Sequence, residues 1–422
     1  MPSRGVPVVI QENVERARSP RFIPHALLGV MTLLALVALA FGIKGFNNGP
    51  DKSGDNVPKL SVGPKSFVGN GPFGVGITTL HLPASQGGNA VELWYPVKPD
   101  EAHGTPAVYD MKSEVPKAVA DLFPKTVHVT YTEGGFRGMP VADGRFPVVV
   151  FSHGFAGFKT QSAHITSHLA SWGFVVAAPD HPNRDLRAEL GMIFGQTPST
   201  KPYLDVRDLQ HAISMLGQLN ASDHSILKGH LDMNRVGAMG HSAGGAATEA
   251  LSAIDPRVKA WIGLAGATVG AFGQTTSGPG SMVPKIPSMI MAATDDGVVH
   301  YKAMLRSYGL LKTPKRFVGL RNSGHLVFSD ICRLGDGKGG LVGVGRSAGL
   351  PIPGNLAKLG SDGCNGLIDS PRTYLPVQVV WPAIDQAVVA QFRFALGFDD
   401  SRAGLENLAK SFSVVSLNLS RH

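Results

Sequence analysis

The chain has 422 residues, of which 43% are hydrophobic and 17% charged, a balance that excludes wholesale disorder. Its net charge of +8 comes from scattered Lys and Arg, with no dense basic run and no interleaved aromatics. That argues against a nucleic-acid partner and fits a protein working near an anionic membrane or wall surface. With 52 glycines and 30 prolines, loops are abundant, so a glycine-based motif means little until its context is weighed.

Residues 1–21 read as a short cytoplasmic segment and 22–43 as a transmembrane anchor or signal segment. Ala26 to Ile43 is an uncharged run rich in Leu, Ala and Val, preceded by Arg16, Arg18 and Arg21. It is long enough to cross a hydrocarbon core, and the positive flank holds the amino end in the cytoplasm. Ala38-Leu39-Ala40 has the small-x-small form of a cleavage site, which leaves a secreted, cleaved protein open as the alternative. Either way the rest is expected outside the cytoplasm. Residues 44–70, rich in Gly, Pro, Asn, Asp and Ser between Asn47 and Lys65, read as a linker. Cys332 and Cys364 are the two cysteines, and in an oxidising compartment they are expected to pair. Closing a loop of about 30 residues contributes about 3–4 kcal/mol in the chain-entropy view.

Beyond the linker, apolar strands alternate with helices. Val75–Leu82 and Ala90–Tyr95 predict an antiparallel pair near a sheet edge, and Pro147–Ser152 a strand buried on both faces. Ile165, Leu169 and Trp172 mark a helix ended by Gly173, and Phe174–Ala178 the next strand. Val206, Leu209, Ile213 and Leu216 mark a second helix, Arg235–Met239 a strand, and Gly244–Ile254 a third helix. Val258–Leu264, Ser288–Ala293 and Lys315–Leu320 are three more strands, the last of them closing the sheet. Ile384–Leu396 is a closing helix. The fold class is therefore α/β: one large domain over 71–398, a mostly parallel central sheet with helices on both faces, then a tail at 399–422. Its ligand site belongs at the carboxyl ends of the strands.

The pattern G-x-S-x-G occurs at 240–244 and again at 345–349. A nucleophile elbow requires a buried strand before the serine and a helix after it. Ser242 has RVGAM before and GAATEALSAI after; Ser347 runs into Leu350-Pro351-Ile352-Pro353, which cannot start a helix, and is assigned to a loop. A serine hydroxyl needs a base, and the base an orienting carboxylate, here in the order Ser, Asp or Glu, His. The strand at 288–293 ends at Thr294-Asp295-Asp296-Gly297, where Asp296 is favoured over Asp295 by its distance along the strand and the Gly297 turn. His325 lies just past the RFVGL strand, within reach of both. Oxyanion donors are expected from the backbone N–H of Ala243 and of Phe155 in His153-Gly154-Phe155-Ala156-Gly157. There is no GxxxxGK[ST] and no HExxH. His164/His168 and His181/Asp185 have i,i+4 spacing that could suit a metal but no evident third ligand, and are read as packing or surface residues. No metal or organic cofactor is expected.

VELWYP (91–96), PVVVFSHGFAGFKT (147–160), HLASWGFVVAAPDHPNRD (168–185), RVGAMGHSAGG (235–245) and NSGHLVFSD (322–330) together resemble the α/β-hydrolase superfamily. They are especially similar to its platelet-activating factor acetylhydrolase and dienelactone-hydrolase-like branch, which also resembles the cutinase-like polyester hydrolases. The resemblance implies Ser242 as nucleophile, His325 as base, Asp296 as orienting acid, and Phe155 and Ala243 as oxyanion donors. It implies a carboxylesterase or acetylhydrolase-like enzyme that forms an acyl-enzyme on a small-molecule or lipid-like ester. A lipase, thioesterase or polyester hydrolase with the same triad, or a non-catalytic binding module at the cell envelope, are the alternatives. The sequence departs from the family after His325, where about 55 residues holding both cysteines precede the closing helix. That insertion and the loop from Gly266 to Pro284 are the expected walls of the substrate pocket.

Overall fold

The computed structural model describes residues 62–126, 129–193, 204–267, 283–337, 339–366 and 372–422. The hydrophobic segment at 22–43, the linker up to residue 61 and most of the loop from Gly266 to Pro284 lie outside the described residues. Among the described residues no helix is long and apolar enough to cross a membrane.

Apolar runs bounded by turn residues become strands of one sheet: β1 (Gly74–His81), β2 (Ala90–Val97), β3 (Phe136–Arg137), β4 (Phe146–Ser152) and β5 (Val175–Pro179). They continue with β6 (Leu231–His241), β7 (Val258–Leu264), β8 (Ser288–Ala293), β9 (Lys315–Leu320) and β10 (Val415–Arg421). The ten strands lie in the order β10-β9-β8-β7-β6-β4-β5-β2-β1-β3. From β9 to β5 every neighbour is parallel. Every residue of β4, β5, β8 and β9 is buried, as expected where helices cover both faces. β1 and β2 form the expected antiparallel pair, with Ile77 opposite Trp94.

Helices α1 (Ala163–Ser171), α2 (Leu186–Ile193), α3 (Leu204–Ala221), α4 (Ala243–Ile254) and α5 (Tyr301–Leu310) follow the strands. α6 (Gly340–Ser347), α7 (Gly354–Leu359) and α8 (Val377–Ala395) come after β9. α1 packs on α8 and on β1, β2 and β5; α3 packs on α4 and on β4, β5 and β6. The chain leaves β4 for β5 on one side, then crosses to β6 on the other. That reversal of direction opens a crevice between the carboxyl ends of β4 and β6, where ligands of such sheets bind.

Three expectations need correction. β9 is not the last strand: Val415–Arg421 pairs antiparallel along it, so residues set apart as a tail complete the sheet edge. Half of that strand is exposed, which erases the apolar run a sequence reading looks for. The closing helix begins at Val377 rather than Ile384. Pro382 lies within its second turn, where its missing N–H forfeits a bond back to Gln378 O, and the turn is held instead by burial of Val377 and Val380 and by Trp381 Nε1 donating to Val327 O at 2.9 Å. Ser347 sits at the end of α6 and not in a loop.

Candidate active site

Ser242 lies between β6 and α4, buried, with φ 55° and ψ −121°. A non-glycine residue in that region is strained, and here the turn is held by Ser242 N–H donating to Leu264 O at 2.9 Å. The flanking glycines have specific causes. A Cβ on Gly240 would stand 2.2 Å from Gly244 O, and one on Gly244 would stand 2.0 Å from Ser152 O. Both contacts are with backbone, so neither position can relax around a side chain.

At the end of β8, Asp296 faces His325: Oδ2 lies 2.9 Å from His325 Nδ1, both groups buried. Asp296 Oδ1 accepts the N–H groups of Val298 and Val299 at 2.8 and 2.7 Å, which fixes the carboxylate plane. Asp295 does not take part; its carbonyl receives Arg372 at 2.6 Å. With Nδ1 toward Asp296, His325 Nε2 is buried without a hydrogen-bond partner among the described residues. His325 and Ser242 line the same cleft.

A residue the sequence reading did not single out ties these turns together. Asp362 Oδ1 accepts His325 N–H at 2.7 Å, its Oδ2 accepts Gly297 N–H at 3.0 Å, and its carbonyl accepts Leu326 N–H at 2.8 Å. Burial pushes its carboxyl above the usual carboxylate range, against the pull of the His325 N–H. Two residues later Cys364 is bonded to Cys332 across 32 residues, as expected. The insertion is therefore anchored at one end by a disulfide and grips the Asp296 and His325 turns through one side chain.

The loop after β4 is wired into the same site. Gly154 N–H donates to Gln161 Oε1 at 3.0 Å, Gln161 Nε2 lies 2.9 Å from His241 Nδ1, and His241 Nε2 lies 3.0 Å from His325 O. Because the His325 carbonyl can only accept, His241 Nε2 carries the proton and Nδ1 accepts from Gln161. Burial, then the neighbouring His325, holds the His241 imidazole well below its usual range and hence neutral. Phe155 stands at the cleft mouth, 44% exposed, and Ala243 starts α4 directly after Ser242.

The cleft is narrow, apolar and partly open to solvent. Val115, Val119, Phe123, Leu186 and Leu190 line it, together with Leu341, Val342, Leu350, Ile352 and Leu356 from the insertion. Among the described residues no Asp, Glu, Lys or Arg lines it. The insertion thus borders the site, while the loop from residues 268 to 282 lies outside the described residues.

The histidines of the two i,i+4 spacings have protein partners in the structure. His181 offers a ligand atom within 4.8 Å of atoms from Asp205 and Asp208. Yet its Nδ1 meets Asp208 Oδ2 at 2.9 Å, its Nε2 meets Ser152 Oγ at 2.8 Å, and Asp205 is paired with Arg184. His164 stacks on Trp381 at 3.7 Å, and His168 Nε2 meets Phe67 O at 2.7 Å.

Residues 62–211 match the family described as platelet-activating factor acetylhydrolase, isoform II. The chain resembles the platelet-activating factor acetylhydrolase branch of the α/β-hydrolases. The platelet-activating factor acetylhydrolase of Cavia porcellus is 26% identical over 46% of this chain and 54% of its own length; that of Bos taurus is 24% identical over the same shares. The bis(hydroxyethyl) terephthalate hydrolase of Streptomyces coelicolor is 31% identical over 35% of this chain and 43% of its own length. The chain thus spans about half the length of these relatives. The family match covers the Phe155 loop and ends before Ser242.

Proposed function

We propose that the chain is a serine hydrolase of carboxylic esters, with Ser242 as nucleophile, His325 as general base and Asp296 as its orienting acid. His325 Nε2 takes the proton of Ser242 Oγ as that oxygen attacks the ester carbonyl carbon. The tetrahedral oxyanion takes hydrogen bonds from the N–H groups of Phe155 and Ala243. The intermediate collapses, the alcohol leaves with the proton from His325, and water then releases the acid from the acyl-enzyme by the same steps. No metal or organic cofactor enters these steps. The observation that carries the reading is the His325–Asp296 hydrogen bond of 2.9 Å beside a strained, buried serine in an apolar cleft. The relatives named as an acetylhydrolase and as a hydrolase of bis(hydroxyethyl) terephthalate support it.

A cleft without charged lining among the described residues suits an uncharged ester whose acyl or alcohol part is apolar. The Cys332–Cys364 bond supports an extracytoplasmic location, reached through the segment at 22–43 as anchor or signal; fractionation of cells with an antibody against the domain tests that part. The enzyme reading is tested with a fluorophosphonate probe and p-nitrophenyl esters of increasing acyl length. Labelling and turnover are expected in the wild type, lost in Ser242→Ala and kept in Ser347→Ala. A folded protein that neither labels nor turns over any ester would leave a binding module as the remaining reading.

A further inference from the structure

Resting on the ester-hydrolase reading, we propose that Arg184 is a positioning residue for the oxyanion hole. It holds the Gly154–Phe155 peptide with the carbonyl buried and the N–H turned toward the ester oxygen. Arg184 lies within the HLASWGFVVAAPDHPNRD segment, whose resemblance assigned it no role.

Arg184 is buried, and its guanidinium is spent on two backbone carbonyls and two side chains. One terminal nitrogen donates to His153 O at 2.5 Å and to Gly154 O at 2.7 Å; the other donates to Ser152 Oγ at 2.9 Å; Nε pairs with Asp205. Two further donors converge on the same Gly154 carbonyl: Gly157 N–H at 3.1 Å and His153 Nδ1 at 2.8 Å. His153 can donate there because its Nε2 accepts His181 N–H at 3.1 Å, which places the ring proton on Nδ1. The arrangement closes on itself, since Ala156 N–H donates to Arg184 O at 2.9 Å.

The consequence follows from peptide geometry. In a planar trans peptide the C=O and the next N–H point in opposite directions. A Gly154 carbonyl pinned toward Arg184 therefore sends the Phe155 N–H the other way. Gly154, Phe155 and Ser242 line the same cleft. Gly154 is close enough that a Cβ there would stand 3.4 Å from Ser242 Cβ. Arginine suits the task because its planar fork serves several fixed acceptors at once, which a lysine ammonium cannot do from the same place. The donor is thus preorganised before substrate arrives, where an oxyanion hole is most effective.

The test uses the full chain, steady-state kinetics on a p-nitrophenyl ester, and inhibition by a trifluoromethyl ketone, which forms a tetrahedral adduct on a serine hydroxyl. Arg184→Lys is expected to lower kcat about 100-fold, near the cost of one lost oxyanion donor, and to leave KM within about threefold. Inhibition by the ketone should weaken by a similar factor, which a merely structural arginine would not cause. Should Arg184→Lys fail to fold, Asp205→Asn decides, because it removes only the partner that aims the guanidinium; about a tenfold loss in kcat at unchanged KM is expected. Wild-type kcat and ketone affinity in a folded Arg184→Lys, or lost thermal stability with both unchanged, overturns the proposal while the ester-hydrolase reading stands. A wild type inert to every ester and to the fluorophosphonate overturns both.

Discussion

The chain contains the same five-residue pattern twice, and the two copies have different fates. At 240–244 both glycines are demanded by backbone: any side chain would strike a carbonyl at 2.0–2.2 Å. At 345–349 a Cβ on Gly345 would meet only the tip of Ile352 at 2.6 Å, and one on Gly349 would meet nothing within 4 Å. Ser242 is buried on a strained turn facing the cleft, whereas Ser347 is exposed at a helix end with its Oγ donating to Gly343 O at 2.9 Å. Gly345 still reaches the site, but as part of the cleft wall. A motif carries chemistry when strand and helix force its backbone; the letters alone do not.

The sharpest way to break this contrast is to remove each hydroxyl. Ser242→Ala should lower kcat by about 10⁴–10⁶-fold, and Ser347→Ala should leave it unchanged in the same p-nitrophenyl assay. Comparable losses in both would put the nucleophile assignment in error. The glycines sharpen the point through stability. Gly244→Ala should cost about 3 kcal/mol or more in chemical denaturation, because a backbone carbonyl must move. Gly349→Ala, at φ 71° with open space around it, should cost about 1–2 kcal/mol from conformation alone.

The insertion offers the next comparison, since it bears both Ser347 and the Asp362 clamp. Replacing Cys332 and Cys364 together by Ser should destabilise the chain by about 3–4 kcal/mol. Activity should fall as well, because the clamp on His325 and Gly297 loosens; unchanged kcat in the double variant would separate the disulfide from the site. Another suggestive spacing, His164 and His168, is tested by pH. Burial pushes the His168 imidazole down to about 4, from an ordinary value of about 6.5. A neutral folded histidine contributes stability that is present above pH 6.5 and is lost as pH falls through about 4. The variant His168→Gln should therefore lose less stability than the wild type between pH 7 and pH 4, by up to about 3 kcal/mol. Parallel stability curves would show that His168 titrates normally.

Much of the fold was legible because its signals are local. Buried parallel strands read as continuous apolar runs, helices as periodic ones, and Ser242, Asp296 and His325 each follow such a strand. Misreadings came where local signals fade. β10 is a half-exposed edge strand, the first turn of α8 is masked by Pro382, and α6 and α7 lie among glycines and prolines.

The sequence by itself determined the alternation of strands and helices, the strand-to-helix setting of Ser242 that Ser347 lacks, and the placing of Asp296 and His325 just after strands. These depend on residues within one turn or one strand of each other. Only the tertiary structure decided that Asp362 grips the His325 turn from 37 residues away, or that His241 reaches the His325 carbonyl across 84. The same holds for Arg184 bonded to the His153 and Gly154 carbonyls and for the apolar lining from the insertion. Those contacts join parts of the chain that meet only when the sheet closes, and a lone Asp, Gln or Arg has no periodicity that announces its partner.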